Sequence, residues 1–503
     1  MLKNKRILIF QQRNWGIKIG RLIAEKFKKE GAEVGAITFK YFDYHQNYNN
    51  IYSFIQDHDY IQDNPEEYLN GDNFTLTSIC KDLGIKSVWP YIQSNRNHVK
   101  SYKKNFYYSF KQNEDDEKII TYIKAVYKLI KKIELEFNPD VVIVPNFVGF
   151  VHIASYYFAK KKNKKFIGVS AIKSFEDTYF YFVNDVFETL SPINHSIKLY
   201  ETKIKKNLDY QKSKDQLTFI RNSFAKKINN FVYEKNFKYF KIFLKNILKY
   251  TYNVLLFKNI KRMKTQIKAD TVHNSLYYIF RDYFKFNINK IKTDSLKYSK
   301  IENINNFAFI PLQFQPEANI DLCSYELNNQ IETARQIAMN LPYDYTLVVK
   351  DHPLMHGLRT SSYLEKISNM PNIKLVHSKI SSLNILKKCK FLIGPTGTVF
   401  WEAAILKKPA IMLGKLGLIS MFPNVKKIEH FREIPDAIDY FNENSDIFEK
   451  NTYDDKLVDI ISALSEHNIS ADYSKIWNTN YENSNSITEI YDKFKEEIIR
   501  QFQ

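Results

Sequence analysis

At 503 residues the chain is long enough for two to four domains and more than one core. Its 44% hydrophobic content is ordinary for a globular protein, and 13 glycines and 14 prolines exclude a collagen-like or long flexible chain. The formal net charge is +19, but residues 201–300 alone hold 24 Lys and Arg against 7 Asp and Glu, so the remainder is close to neutral. Only 11 of the 74 basic residues are Arg, as in proteins from AT-rich genomes. Such bias explains lysine over arginine, not the loss of acids from one segment. Cys80, Cys323 and Cys389 form no CxxC pair, which fits buried thiols in a reducing cytoplasm. The basic start at Met1–Arg6 precedes too few apolar residues for a signal-peptide core. The longest uncharged run, 141–159, is broken by Pro145, Asn146, Gly149 and His152, and reads as strand, turn and helix rather than a membrane span.

In chain order, Arg6 to Phe10 is strand-like, Gln11 to Gly16 a polar loop, 17–29 an amphipathic helix stopped at Gly31, and Val34 to Phe39 a second strand. This is a Rossmann-like opening, but its loop lacks GxGxxG and implies no dinucleotide. Residues 40–110 give no clear pattern. A long helix follows over 117–137, a buried strand over 139–145, a helix to 165 and a strand over 166–170. Residues 200–300 repeat Lys among Phe, Tyr, Ile and Leu with helical spacing. From Phe307 strands at 307–313, 345–350, 372–377, 390–394 and 409–413 alternate with helices near 325–340, 361–369, 381–389 and 398–407, with Ser381 as an N-cap. An amphipathic helix over 487–502 ends the pattern.

The predicted architecture is α/β and GT-B-like: two Rossmann-like doubly wound domains facing a cleft, with a basic helical insert. The predicted boundaries are an acceptor-side domain over 1–195, the insert over 196–300, a nucleotide-sugar domain over 301–475, and a helix over 476–503 that crosses back.

The strand ends carry the chemistry. Thr396-Gly397-Thr398 lies between strand and helix, where Gly397 lets the backbone approach a phosphate and the helix start supplies N–H groups and a dipole. An ordinary turn with Thr398 as N-cap fits the same letters. Glu402, about one turn on, suits ribose hydroxyls, and Trp401 reads as core. Lys350 and His352, in Lys-Asp-His-Pro after a buried strand, suit a pyrophosphate and the charge of a leaving nucleotide. Pro311 to Glu317 ends the first strand of this domain. Gln315 is a donor-site candidate there, and Glu317 a general base or a sugar-hydroxyl anchor. In the first domain Arg13, Asn14 and Trp15 are acceptor-side candidates. No metal signature stands out; Asp57-His58-Asp59 is a DxD by letter only. The expectations are no metal, no cofactor and no nucleic-acid partner.

With these motifs in order, residues 307–415 resemble bacterial capsule and surface polysaccharide biosynthesis proteins, the family that includes Kdo transferases. Those proteins show Pro-Leu-x-x-Gln-Pro-Glu, Lys-Glu-His-Pro and Gly-Thr-Val-Gly-Trp-Glu-Ala followed by Gly-Lys-Pro. Here the segments are Pro311 to Glu317, Lys350 to Pro353, Thr396 to Ala403 and Lys407 to Pro409, with Asp351 for Glu and Phe400 and Lys407 for Gly. The resemblance implies that Lys350, His352, Thr396, Gly397, Thr398 and Glu402 bind the nucleotide; His352 and Glu317 are the catalytic candidates by the strand-end reading above. It implies a glycosyltransferase using a CMP-sugar such as CMP-Kdo, or a UDP-sugar. The acceptor is a surface polysaccharide or its lipid-linked precursor, at the inner face of the cell membrane. The basic insert then suits an anionic lipid surface. A CDP-glycerol-type transferase, a UDP-sugar 2-epimerase and a non-catalytic assembly factor are the alternatives.

Overall fold

The computed structural model describes residues 2–39, 50–95, 114–173, 178–189, 191–227, 237–255, 276–479 and 484–503. Two six-stranded sheets organise them. The first has the order β3-β2-β1-β4-β5-β6, built from β1 (Arg6–Gln12), β2 (Glu33–Phe39), β3 (Phe54–Asp57), β4 (Val141–Val144), β5 (Lys165–Lys173) and β6 (Thr178–Val183). The second has the order β12-β11-β10-β7-β8-β9, built from β7 (Phe307–Pro311), β8 (Thr346–Lys350), β9 (Ile373–Val376), β10 (Phe391–Gly394), β11 (Ala410–Met412) and β12 (Val425–Lys427). Renumbered within its domain, each is the Rossmann order 3-2-1-4-5-6. All pairings are parallel except β5 with β6. The two-Rossmann architecture expected from sequence is present.

Several local expectations are corrected. The polar Gln11–Gly16 loop is instead the end of β1 followed by helical backbone, because Gln11 and Gln12 extend the ladder with Thr38 and Phe39. The unassigned stretch contains β3 and the short helices His58–Asp63, Pro65–Leu69, Leu76–Leu83 and Trp89–Ile92. Asp57 caps the first of these by accepting the Asp59 N–H at 2.9 Å. The edge strands β6 and β12 were not foreseen. Ser381 holds the N-cap position, but its side chain makes no capping bond. Cys323 and Cys389 are buried, whereas Cys80 is only half-buried.

Both faces of the first sheet are covered. Ile7, Ile9, Val141 and Ile143 share a core with Tyr473, Ile476, Tyr491, Phe494 and Ile498 from the helices Tyr473–Asn478 and Ser484–Phe502. The end of the chain therefore packs on the first domain. The opposite face, with Leu8 and Phe10, joins a core that continues into the second domain through Phe400, Trp401 and Leu457. Between 196 and 300 the described residues are largely helical: Tyr210–Lys227, Phe237–Leu255 and Leu276–Asp294. Arg221 pins the first of these by a two-pronged pair with Asp454 at 2.7 and 2.8 Å and a bond to the Ile405 carbonyl at 3.2 Å.

Candidate active site at the second sheet's switch point

The order of the second sheet reverses between β7 and β10, so its crevice lies beyond their carboxyl ends. The loop after β7 runs through Gln313 to Glu317, and the loop after β10 through Thr396 to Thr398. β8, beside β7, delivers Lys350 to the same edge. The strand register thus brings three of the sequence motifs together.

Lys350 is 2% exposed and donates to Ser382 Oγ at 3.2 Å. Burial pushes its ammonium down to about 8, while the nearby Asp351 and Glu402 carboxylates oppose the shift. Asp351 is itself buried, which raises its carboxyl. It is held by an ion pair with the buried Arg359 and by the His352 N–H at 2.8 Å. Arg359 also donates to the Gln313 carbonyl at 3.0 Å, tying the β8 loop to the β7 loop. Arg359 had not been singled out from sequence, since it lies eight residues beyond Asp351 in a stretch without motif.

His352 is half-buried. Its Nδ1 accepts the Leu354 N–H at 3.2 Å, which assigns the ring proton of the neutral imidazole to Nε2. Burial, with Lys350 and Arg359 nearby, lowers its pKa to about 4. At neutral pH this ring is a hydrogen-bond donor through Nε2.

Gly397 has φ +123° and is the N-cap of the helix Thr398–Ile405. Thr398 is thus the first helical residue rather than the cap, and is exposed. Thr396 is buried, and its Oγ1 has no hydrogen-bond partner. Glu402 is half-buried one turn into the helix. Trp401 is core, its ring centroid 5.3 Å from that of Phe422.

Two site expectations are corrected. Gln315 is fully buried and occupied within its loop: Nε2 donates to Asp321 Oδ1 at 3.2 Å and to the Asn328 carbonyl at 2.9 Å, and Oε1 accepts from Gln330. It shapes the loop instead of facing a nucleotide. Trp15 is fully buried and donates its indole N–H to Tyr473 at 2.6 Å, so it does not present a ring to an acceptor. Asn14 is exposed on the helical turn beside it, and the Arg13 side chain lies outside the described residues. Glu317 is half-buried at the start of the short helix Ala318–Asp321, its backbone N–H donating to the buried Asp321 at 3.2 Å.

Folding also gathers Asp294, His356 and His377, with both Nε2 atoms 3.2 and 3.1 Å from Asp294 Oδ1. Distant in sequence, they gave no metal-like spacing. His377 Nδ1 accepts the Lys379 N–H at 3.0 Å, and Lys379 Nζ stands 3.5 Å from the same carboxylate. That polarity suits a brace between helix Leu276–Asp294 and the second domain. The cavity of about 790 Å³ lined by Arg6, Glu33 and Tyr52 lies at the amino ends of β1 and β2, away from all of these groups.

Residues 241–417 match the family model of capsule polysaccharide biosynthesis proteins, in agreement with the resemblance drawn from the motifs. No curated protein matches the chain. Among solved structures, a glycosyltransferase from Rickettsia africae aligns at 11% identity over 99% of both chains, with a TM-score of 0.26. An Anabaena protein in complex with UDP and glucose aligns at 8% identity over 99% of this chain and 100% of its own, with a TM-score of 0.25. A UDP-GlcNAc 2-epimerase from Neisseria meningitidis bound to UDP-GlcNAc aligns at 12% identity over 98% and 100%, with a TM-score of 0.23. The fold assignment rests on strand order and not on these scores.

Proposed function

We propose that the protein is a glycosyltransferase that moves a sugar from a nucleotide-activated donor to a growing capsule or other surface polysaccharide, or to its lipid-linked acceptor. The observation that carries this reading is Lys350, a buried cation at the carboxyl edge of β8 beside the switch point, next in sequence but one to His352 and within electrostatic reach of Glu402 on the helix that follows the loop 396–398. Such a cation, a neutral N–H donor and a helix start form a phosphate cradle. Glu402 receives the ribose. A CMP-sugar such as CMP-Kdo is the leading donor by the motif resemblance, and a UDP-sugar fits the same cradle.

In the reaction the anomeric C–O bond to the nucleotide phosphate breaks and the electron pair leaves with the nucleotide. Lys350 and His352 stabilise that charge. The acceptor hydroxyl forms the new glycosidic bond and gives up its proton, for which Glu317 is the assigned base. Thermal shift with CMP, UDP, GDP and CDP tests the donor site, because a ligand that binds only the native state raises Tm. His352→Ala and Glu402→Ala are each expected to weaken that binding with the fold intact. Unchanged affinity in both sinks the assignment. Glu317→Gln is expected to bind nucleotide normally and to lose turnover by about 10²–10⁴.

The reading includes reversible attachment to an anionic membrane face. No helix among the described residues is long and apolar enough to cross a membrane. Helix Leu276–Asp294 nevertheless exposes Tyr277, Phe280, Phe284, Ile288 and Ile291, spaced three and four apart on one face. Its neighbour Phe237–Leu255 exposes Phe240, Leu244 and Leu248. The two pack together through Phe243 and Tyr283, ring centroids 4.2 Å apart. An apolar stripe within a segment of 24 basic and 7 acidic residues matches the two attractions of a lipid surface.

A further inference from the structure

The helix Thr398–Ile405 is held differently at its two ends. At the start, Gly397 makes no side-chain capping bond. At the finish, every carbonyl from Glu402 to Ile405 has a donor. The Leu406 N–H donates to Glu402 at 3.1 Å, the Lys407 N–H to Ala404 at 3.1 Å and the Lys408 N–H to Ala403 at 2.8 Å. The last two are the paired bonds of a Schellman motif, with Lys407 in its left-handed position at φ +54°. That motif leaves the Ile405 carbonyl over, and Arg221 Nε donates to it at 3.2 Å.

The other prongs of the Arg221 guanidinium hold Asp454. Lys407, where the related motif has Gly, brings its Nζ to 3.3 Å from Asp454 Oδ1 and 5.4 Å from the centroid of the Tyr453 ring. The Tyr453 hydroxyl donates to the Ala404 carbonyl at 2.7 Å. Two other helices, Tyr210–Lys227 and Asn451–Glu466, therefore grip the last turn of this one. Eight residues are too few to make a stable helix unaided. Most of its side chains are buried, but apolar contact is non-directional and does not fix position along the axis. Hydrogen bonds are directional. The bonds to Ala404 and Ile405 thus set where the helix ends. At about 1.5 Å per residue they also set where it begins, about 10 Å away. Gly397, Thr398 and Glu402 all ride on this one rod.

We propose that Arg221 is a positioning residue of the donor site, acting through the Ile405 carbonyl to place the start of helix Thr398–Ile405 against the nucleotide phosphate. This rests on the transferase reading. It gives the basic segment a second role, separate from the exposed apolar stripe of its other two helices.

The test is isothermal titration of the full chain, well below Tm, with CMP beside cytidine and UDP beside uridine. The ratio of nucleotide to nucleoside affinity isolates what the phosphate contributes. Arg221→Lys is the informative variant, since it keeps a charge against Asp454 but cannot also reach the Ile405 carbonyl from the same fork. It is expected to hold Tm near the wild-type value and to lower that ratio by about tenfold, with nucleoside affinity unchanged. Arg221→Met is expected to lower the ratio at least as far and Tm as well. Tyr453→Phe, which keeps the ring and removes the bond to Ala404, is expected to lower the ratio by about threefold. A wild-type ratio preserved in all three variants overturns the proposal and leaves the donor reading standing. Parallel loss of nucleotide and nucleoside affinity overturns it too, because Arg221 would then act on the fold at large. A wild type that binds nucleotide no better than nucleoside removes the phosphate cradle, and this proposal with it.

Discussion

Gln313 lies over Gly397: a β-carbon at 397 would stand 3.2 Å from Gln313 Oε1, so the loops on the two sides of the second switch point touch there. Gly397 also holds φ +123°, a conformation that L side chains rarely adopt. Gly397→Ala is therefore opposed by both backbone and neighbour. Strain of this type costs about 1–3 kcal/mol. The expected result is a lower Tm together with nucleotide affinity reduced by about tenfold or more. Normal affinity in a folded variant would show that the loop does not approach the ligand.

Lys350 makes donor binding pH-dependent. Its ammonium titrates at about 8, below the ordinary 10.5. Below pH 8 the charge is present and binds phosphate; as pH rises through 8 it is lost from the folded protein while the unfolded chain keeps its proton. Stability from this group therefore increases between pH 8 and 10.5, while nucleotide affinity falls. Isothermal titration across that range is expected to show the fall in the wild type. Lys350→Gln is expected to bind weakly throughout, without the step.

Arg359 is the counter-charge that lets Asp351 ionise in the interior. Arg359→Met strands that carboxylate, and breaking a buried pair costs about 3–5 kcal/mol. Burial already raises the Asp351 carboxyl, and removing the guanidinium raises it further. A raised carboxyl is protonated in the fold while its unfolded counterpart is ionised, so stability falls as pH rises through the folded value. Urea unfolding is expected to show the variant's deficit growing as pH rises above the ordinary carboxylate value, and Asp351→Asn in the same chain is expected to remove most of that dependence.

The second domain was legible because its strands are continuous apolar runs and its motifs sit at their carboxyl ends, where a parallel sheet must gather them. Trp15 shows what was not legible. Its loop letters were polar, but β1 runs on through Gln12, and Trp15 then turns into a core completed by Tyr473, 458 residues away. Gln315 belonged to a matching motif, yet its amide is consumed by Asp321 and Asn328, residues with no pattern of their own. Arg221 was hidden for the opposite reason. It belonged to no motif and lay in the basic segment, where an arginine reads as one more surface charge, and only the fold sets its guanidinium between Asp454 and the Ile405 carbonyl.

Gly417 sets the fit between the domains. Its N–H donates to the Phe187 carbonyl at 2.8 Å, and a β-carbon there would come within 2.3 Å of the Glu188 carbonyl oxygen. That oxygen is backbone, on a residue at φ +57° whose buried side chain is fixed by Ser170 and Tyr181, so it cannot swing aside. Gly417→Ala is expected to push the second domain off this contact. Turnover should drop by about tenfold or more while CMP or UDP binding, confined to the second domain, is retained. Equal loss of both would mean that the nucleotide site itself spans the junction.

The exposed stripe on helix Leu276–Asp294 gives the membrane reading its sharpest consequence. Phe284 and Ile288 are 58% and 51% exposed, whereas Phe286 on the same helix is buried against Gly357. Charging the outward pair therefore leaves the packed face untouched. Phe284→Glu with Ile288→Glu is expected to keep Tm and nucleotide binding, since surface changes away from packed features usually move stability by no more than about 0.5 kcal/mol. Co-sedimentation with vesicles containing phosphatidylglycerol should fall sharply, because two apolar anchors are replaced by charges that anionic lipid repels. Wild-type binding should also weaken with salt, as each lysine near such a surface contributes about 1 kcal/mol of screened attraction. Phe286→Glu serves as the contrast and is expected to unfold the helix contact instead. Equal sedimentation of wild type and the double variant, or equal wild-type binding to neutral and anionic vesicles, would remove the stripe from any membrane role and leave it as a surface for protein.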